Sequence, residues 1–226
     1  METTVTDTLS RAATPAARRV LAGAALTLLI AVTGCTGADD RDAGGADTAT
    51  PVAVTVAGPL CDQLPAGDEP GNPASLVSQP ADQALQWIPV LTTFEAAVRA
   101  TGLAAELAGT NGVTILAPTD DAFAAKFSRT NLDELLLHDT DKLRGLLRDH
   151  VVTGSLPVAE LVAAGTVTTL AGTSLTVTGS GPSARVDDRA DTVCADYQVS
   201  NARIHVINHV LGTLPTTASD EDDHHS

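Results

Sequence analysis

The sequence predicts an α+β fold, with N-terminal helices packed on a meander of short β-strands. Between residues 80 and 165, apolar residues recur at the spacing of amphipathic helices, and from residue 166 onward they alternate with a period of two. Of the 226 residues, 43% are hydrophobic and only 2% are aromatic. The core is therefore expected to consist of Leu, Val, Ile and Ala.

The first 34 residues have the layout of an export signal. An Arg-bearing start precedes an apolar run of 13 residues, Val20–Val32, whereas a membrane-spanning helix needs about 20. The run leads into Val32-Thr-Gly-Cys35, which resembles the lipobox of bacterial lipoproteins. That resemblance implies that Cys35 is lipidated, becomes the mature N-terminus and anchors an extracytoplasmic protein to the membrane. The alternative is an ordinary cleaved signal with an incidental cysteine.

The remaining chain divides by composition. Residues 35–57 are rich in Asp, Gly, Ala and Thr and bury too little apolar surface to offset ordering entropy, so they are predicted to form a flexible acidic tether. Residues 58–215 are predicted to form one domain. Residues 216–226 are predicted to be an acidic, disordered tail.

The charge balance excludes some partners. The whole chain carries 13 basic and 28 acidic residues. The signal holds three Arg against one Glu and one Asp, which leaves 10 basic and 26 acidic residues, or −16, on the mature part. Nucleic-acid binding needs clustered Lys and Arg, as does electrostatic docking on an anionic bilayer. We therefore expect no nucleic-acid partner and a membrane contact through the lipid anchor alone. We also expect a monomer.

The three cysteines suggest one disulfide. With Cys35 lipidated, Cys61 and Cys194 remain, in a compartment where disulfides persist. Their pairing would tie the start of the domain to a late strand. The alternative is two free buried thiols.

A strand-to-helix corner carries the clearest local signals. Val113–Leu116 is an apolar, β-branched run, and Pro118 ends it because proline cannot donate to a ladder. The oxygens of Thr119–Asp121, and of Asp120 in particular, suit the capping of a helix N-terminus. Phe123 is predicted to point into the core.

The other elements follow from caps and periodicity. Predicted helical segments are Pro80–Trp87, Val90–Ala100, Leu103–Leu107, Leu132–Leu137 capped by Asn131, Lys142–Leu147 capped by Asp139 or Asp141, and a helix from Ser155 and Pro157 to Gly165. Predicted strands are His150–Thr153, Thr166–Leu170, Thr173–Thr178, Ala184–Val186, Thr192–Cys194 and Arg203–Leu211.

Three segments in this order resemble the fasciclin (FAS1) domain: Thr114–Phe123, His150–Val152 and Asn201–Leu211. The resemblance covers about residues 60–215 and implies a single fasciclin-like domain. With the two cysteines, the chain is similar to the secreted and lipid-anchored fasciclin antigens of mycobacteria. The family-motif positions are Thr114, Pro118, Thr119, Asp120, Phe123, His150, Asn201 and His205.

One departure from the family pattern bears on function. Where the family often has Tyr before the middle His, this chain has Asp149. The Tyr-His pair has been credited with adhesive contacts in animal relatives. We therefore expect His150 to be structural in this chain.

No catalytic or metal-binding pattern emerges from the sequence. His205 and His209 lie in a predicted strand without Cys or paired acids nearby in the sequence, and zinc needs three or four protein ligands. No Gly-x-Ser-x-Gly motif occurs. Capping accounts for the adjacent Asp120 and Asp121. We predict no enzymatic activity, no cofactor and no metal.

Two functional classes remain. The resemblance implies a non-enzymatic adhesion or interaction module at the cell surface, with a protein or glycan of the envelope or of a host surface as partner. The alternative is an envelope lipoprotein that carries a small apolar ligand or a glycolipid, which would need an apolar cavity.

Overall fold

Helices dominate the first part of the domain and strands the second. The computed structural model describes residues 54–108, 112–180 and 182–214. The helices in these ranges are α1 (Pro73–Leu76), α2 (Ala81–Ala84), α3 (Thr92–Ala100), α4 (Leu103–Ala108), α5 (Asp120–Lys126), α6 (Arg129–Leu137), α7 (Thr140–Arg148) and α8 (Val158–Ala164). The strands are β1 (Val113–Pro118), β2 (Val151–Thr153), β3 (Thr166–Thr168), β4 (Ser174–Ser180), β5 (Ser183–Val186), β6 (Ala190–Gln198) and β7 (Ala202–Ile207). The predicted α+β fold is confirmed.

The seven strands form one sheet in the order β2-β1-β7-β6-β5-β4-β3. The strands from β3 to β7 follow one another as an antiparallel meander. The first and last strands, β1 and β7, pair in parallel with Val113 opposite Ala202 and Pro118 opposite Ile207. The two signature segments, far apart in the sequence, are therefore hydrogen-bonded neighbours in the sheet.

Strand β1 is buried along its whole length because both faces of the sheet are covered. Ile115 belongs to a core shared with helices α1–α7, whereas Leu116 belongs to a second core on the opposite face, against α8. Side chains alternate between the two faces of a strand. A strand buried on both faces reads as a continuous apolar run, which is how the sequence presents it.

Local signals placed most of the predicted helices, but the capping contacts of α6 and α7 differ from the prediction. Ser128, not Asn131, caps α6: its Oγ accepts a hydrogen bond from the backbone N–H of Asn131 at 3.2 Å. Asp139 precedes α7 as predicted, but its carboxylate accepts from Lys142 Nζ at 2.6 Å instead of from the helix backbone. Gly165 ends α8 with φ of 67°, a conformation that favours glycine.

Two strands begin or end at other residues than predicted, because the backbone pairing with neighbouring strands determines the length of a strand. Strand β6 extends over Ala190–Gln198, although only Thr192–Cys194 was predicted. The predicted Arg203–Leu211 strand ends at Ile207. Beyond it, the Asn208 side chain accepts from the N–H of Asp191 at 2.8 Å, and the Leu211 N–H donates to the His150 ring at 2.8 Å instead of to a strand.

Several predictions fall outside the described residues. They concern the export signal, Cys35, most of the tether and the acidic tail. Of the tether, residues 54–57 are described, and Ala57 pairs with Ala195 on β6. The prediction of a flexible tether as far as residue 57 is therefore wrong at its end. Across the ranges that the structure describes, no helix is both long and apolar enough to cross a membrane.

Candidate functional site

The corner between β1 and α5 has the predicted form. The N–H of Thr119 donates to the carbonyl of Ile207 at 3.0 Å, which continues the parallel pairing past Pro118. Thr119 Oγ1 then accepts from the backbone N–H of Ala122 at 3.1 Å and caps α5. Phe123, one turn on, is fully buried as predicted.

Asp120 does not cap its own helix. Its Oδ1 accepts from the backbone N–H of Thr93 at 2.7 Å, and its Oδ2 accepts from Thr92 Oγ1 at 2.8 Å. The N-cap residue of α3 is Leu91, whose side chain offers no acceptor. Asp120 therefore caps α3 from a different part of the chain and joins two helices.

Replacing Asp120 by Ala is expected to cost about 0.5–2 kcal/mol of unfolding free energy, the usual value of a capping side chain. Asp121→Ala is the matched control, because the Asp121 side chain is exposed and makes no hydrogen bond within the described residues. Urea unfolding of both variants measures the difference. Unchanged stability of Asp120→Ala together with loss of a binding partner would assign the residue to a binding site instead.

His150 is fully buried and holds two segments together. Its Nδ1 donates to the carbonyl of Leu146 at 2.9 Å, and its Nε2 accepts from the backbone N–H of Leu211 at 2.8 Å. This pattern requires the neutral ring, since the cation has no acceptor nitrogen. Burial lowers the pKa of His150 to about 4. The ring is also in edge contact with Phe94, at 6.2 Å between centroids.

His205 plays a similar part on the opposite side of the sheet. Its Nδ1 accepts from the backbone N–H of Asp196 at 3.1 Å, and its Nε2 donates to the carbonyl of Leu156 at 3.0 Å. Burial lowers the pKa of His205 as well. His209, in contrast, lies exposed in the loop after β7. Among the described residues, no three His, Cys, Asp or Glu side chains come together as a metal site.

The other polar positions of the signature segments also bond backbone groups. Asn201 accepts from the N–H of Ala81 at 2.9 Å and donates to the carbonyl of Leu107 at 3.0 Å. Thr114 Oγ1 donates to the carbonyl of Gly154 at 2.6 Å and accepts from the N–H of Leu156 at 2.8 Å. These side chains satisfy loops and helix ends inside the domain.

Asp149, which stands where the family often has Tyr, contacts the loop after β3. Its Oδ1 accepts from Thr173 Oγ1 at 2.6 Å and lies 3.4 Å from Thr169 Oγ1. Asp149 thus ties α7 to the β3–β4 connection.

The segment at residues 54–63, which we call the leading segment, is fastened along β6. Ala57 pairs with Ala195, and the Leu60 N–H donates to the carbonyl of Val193 at 2.9 Å. Gly58 permits this approach, because a Cβ there would lie 2.3 Å from the Val193 oxygen. The predicted disulfide is present, with Cys61 and Cys194 sulfurs 2.00 Å apart across 133 positions of sequence.

The leading segment forms one wall of a surface groove of about 500 Å³. The opposite walls are the first turns of α5 and the loop after β7. The floor is mainly apolar and includes Leu60, Ala122 and Val193. The rim is polar or exposed, and its residues are Pro59, Gln63, Thr119, Asp121, Ala125, Asn208 and His209.

The described surface is acidic. It carries 18 Asp and Glu against 9 Lys and Arg, a net −9. Most of the cations lie within 4 Å of a carboxylate. They are Arg99, Lys142, Arg144, Arg148, Arg185, Arg189 and Arg203. Most basic side chains are therefore paired with a nearby carboxylate, and the remaining carboxylates give the described surface its negative charge.

The fold and these buried polar contacts define a small α+β domain whose signature residues organise its core. Residues 89–214 match the fasciclin domain family. The chain belongs to the fasciclin family, and the resemblance predicted from three segments is confirmed.

Individual proteins are also similar to this chain. The chain is 37% identical to protein sll1483 of Synechocystis sp. over 145 residues, covering 61% of this chain and 79% of that protein. It is 37% identical to the immunogenic protein MPB70 of Mycobacterium bovis over 162 residues, covering 68% of this chain and 80% of MPB70. Among solved structures, a FAS1 domain pair from the insect cell adhesion molecule fasciclin I aligns with a TM-score of 0.45 and 25% identity, over 54% of this chain and 45% of that one.

The groove contains residues that the sequence did not single out. Gln63, Ala125 and Val193 belong to no motif, and Asn208 lies in the second signature segment without being singled out there. The four residues come from separate segments. Two signals were available: the proximity of Thr119 and the predicted Cys61–Cys194 bond, which ties the leading segment to β6 beside Val193. Neither signal indicates that a groove lies between the leading segment and α5.

Proposed function

We propose that this chain is a monomeric, lipid-anchored fasciclin-domain protein that acts outside the cytoplasm as a non-enzymatic adhesion or interaction module. The observation that carries the proposal is the use of the polar signature residues. Thr114, His150, Asn201 and His205 each bond backbone groups within the domain. They serve the scaffold, so recognition is left to exposed loops and helix ends, which supply most binding residues in proteins.

The proposed partner is a protein or glycan of the envelope or of a host surface. The net −9 of the described domain, most of whose cations are already paired, favours a partner with basic groups. Attraction between exposed charges is screened by salt. Binding should therefore weaken as ionic strength rises.

The proposed anchor limits where the partner lies. A flexible tether over residues 36–53, ahead of the leading segment, would have an average span of roughly 23 Å by square-root scaling. That distance lifts the domain clear of lipid headgroups without crossing a thick wall. A partner in the inner envelope is accordingly easier to reach than one on a host cell.

The groove favours a second candidate, the carriage of a small apolar ligand or a glycolipid. Its volume of about 500 Å³ falls within the roughly 300–1,000 Å³ of small-molecule sites. Such sites bury most of their ligand, whereas Pro59, Ala125 and His209 on the rim are exposed. A stoichiometric lipid in the purified protein, seen by native mass spectrometry, would establish the carrier in place of the module.

Replacing Cys35 by Ala tests the proposed function in cells. The wild-type chain should partition into the detergent phase, because two or more acyl chains hold a protein stably on a membrane. The variant should appear uncleaved or released, and cells bearing it should lose capture of envelope and matrix proteins at their surface.

Two results would contradict the proposal. If the Cys35→Ala chain still partitions into the detergent phase as the wild type does, Cys35 is not the lipid anchor. Turnover of a substrate that a single His or Asp substitution abolishes would make the protein an enzyme.

A further inference from the structure

We propose that the surface groove between the leading segment, α5 and the loop after β7 binds an extended peptide segment that combines aliphatic side chains with Lys or Arg. The inference deepens the interaction function proposed above and rests on it. It names the chemical class of the partner and the place where that partner docks.

The groove floor calls for an apolar side chain. Leu60, Ala122 and Val193 present carbon atoms to the groove, and Ala125 leaves room at its edge because its side chain is a single methyl. Leu60 is only partly buried by the domain itself, although it packs against the core. An aliphatic side chain seated here would remove this surface from water.

The rim selects a positive charge. Asp121 is exposed, and its carboxylate has no hydrogen bond or ion pair within the described ranges. No Lys or Arg is among the described residues that line the groove. Lys126 follows Ala125 in the chain, but its Nζ bonds the carbonyl of Gly212 at 3.3 Å. A cationic side chain of the partner therefore meets an unpaired carboxylate.

Polar rim groups suit a backbone as well as a side chain. Gln63 is exposed and offers both a donor and an acceptor, and Asn208 and His209 stand at the other side of the groove. The open rim leaves a bound molecule partly in solvent, which suits a segment of a larger partner better than an enclosed small ligand.

The terminal segments of the chain have the wrong charge to occupy the groove. Residues 36–53 contain four Asp and one Arg, and residues 215–226 contain four acidic residues and no Lys or Arg. Both would bring negative charge to Asp121. Charge complementarity thus favours a separate basic and aliphatic partner.

Three capped hexapeptides test the proposal on the full chain purified in detergent micelles. The first, Gly-Leu-Lys-Val-Lys-Gly, combines both required features. Gly-Leu-Glu-Val-Glu-Gly reverses the charge, and Gly-Ser-Lys-Ser-Lys-Gly lacks the aliphatic groups. NMR titration should show saturable binding of the first alone, weakening with salt. The shifted amides should lie in residues 60–63, 121–125, 193 and 208–209.

Two pairs of variants locate the site. Ala125→Trp should fill the groove and abolish binding of the first peptide, while Ala105→Trp, at an exposed position on α4, should leave it unchanged. Asp121→Lys should weaken binding by about fivefold or more, the scale expected for reversing one exposed charge. Asp133→Lys, on the exposed side of α6, controls for the change in net charge and should have little effect.

The outcomes separate this inference from the proposed function. Equal binding of all three peptides, or binding that survives Ala125→Trp, overturns the groove assignment. Envelope-protein capture that persists in Ala125→Trp also overturns it, but leaves the interaction module in place. A lipid that co-purifies with the wild type and is lost in Ala125→Trp assigns the groove to a carrier. If the peptide binds at the groove but the anchored wild-type chain captures no envelope protein, only the proposed interaction function is overturned.

Discussion

Replacing both Cys61 and Cys194 by Ala is expected to lower the free energy of unfolding by about 4–5 kcal/mol, by the chain-entropy estimate for so long a loop. The bond joins positions 133 residues apart and so restricts nearly the whole unfolded domain. It also fastens the leading segment, whose remaining backbone bonds to β6 are few. The loss should appear as a lower urea midpoint of the double variant under oxidising conditions.

A reducing agent provides the control. It should destabilise the wild type by a similar amount and leave the double variant unaffected. Intact mass should rise by about two hydrogens when the wild type is reduced, as opening a disulfide requires. Alkylation of both cysteines without prior reduction would contradict the prediction.

Acidification is expected to destabilise the domain through His150 by about 2 kcal/mol between pH 7 and pH 5. In the unfolded chain this histidine titrates near 6.5, whereas burial holds its pKa near 4 in the fold. The contribution is fully present above pH 6.5. It is lost as the pH falls toward 4, because the unfolded state binds a proton that the folded state excludes. Over the whole range from pH 6.5 to below pH 4, the loss of unfolding free energy through His150 amounts to about 3 kcal/mol.

His150→Gln isolates this effect. Glutamine keeps a donor and an acceptor but does not titrate, so the variant should lose the His150 share of the slope of stability against pH. The share of buried His205, whose pKa is also lowered, should remain. Exposed His209→Gln is the matched control and should retain the wild-type slope. The measurement is urea unfolding at several pH values, with the His150 pKa read separately by NMR. A pKa of His150 near 6.5, or equal slopes in all three proteins, would show the interpretation to be wrong.

Features that depend on neighbouring residues were predictable. Thr119 caps the helix that starts directly after it, and Gly165 ends the helix directly before it. Both contacts lie within one turn of helix, so residue type and spacing are sufficient evidence. The disulfide was predictable for a different reason, because three cysteines less the predicted lipidation site, Cys35, leave one pair.

Features that depend on distant residues were not predictable. Asp120 looks like a cap for its own helix, but it binds Thr92 and Thr93, which precede it by 28 and 27 positions. The side chain follows whichever backbone donor the packing of α3 against α5 brings nearest. His150 likewise accepts from Leu211, 61 positions away, and no local pattern indicates that acceptor role.

By itself, the sequence determined the fold class, the central strand-to-helix corner, the family and the pairing of two cysteines. The evidence was, in the same order, the apolar periodicity, short-range capping residues, the signature segments and the number of cysteines. Only the tertiary structure decided that the signature side chains bond the interior, and that four separate segments meet at an acidic, apolar-floored groove. The physical reason is that a groove is formed by chain crossings, and the partners of a buried polar group are set by packing rather than by adjacency in the chain.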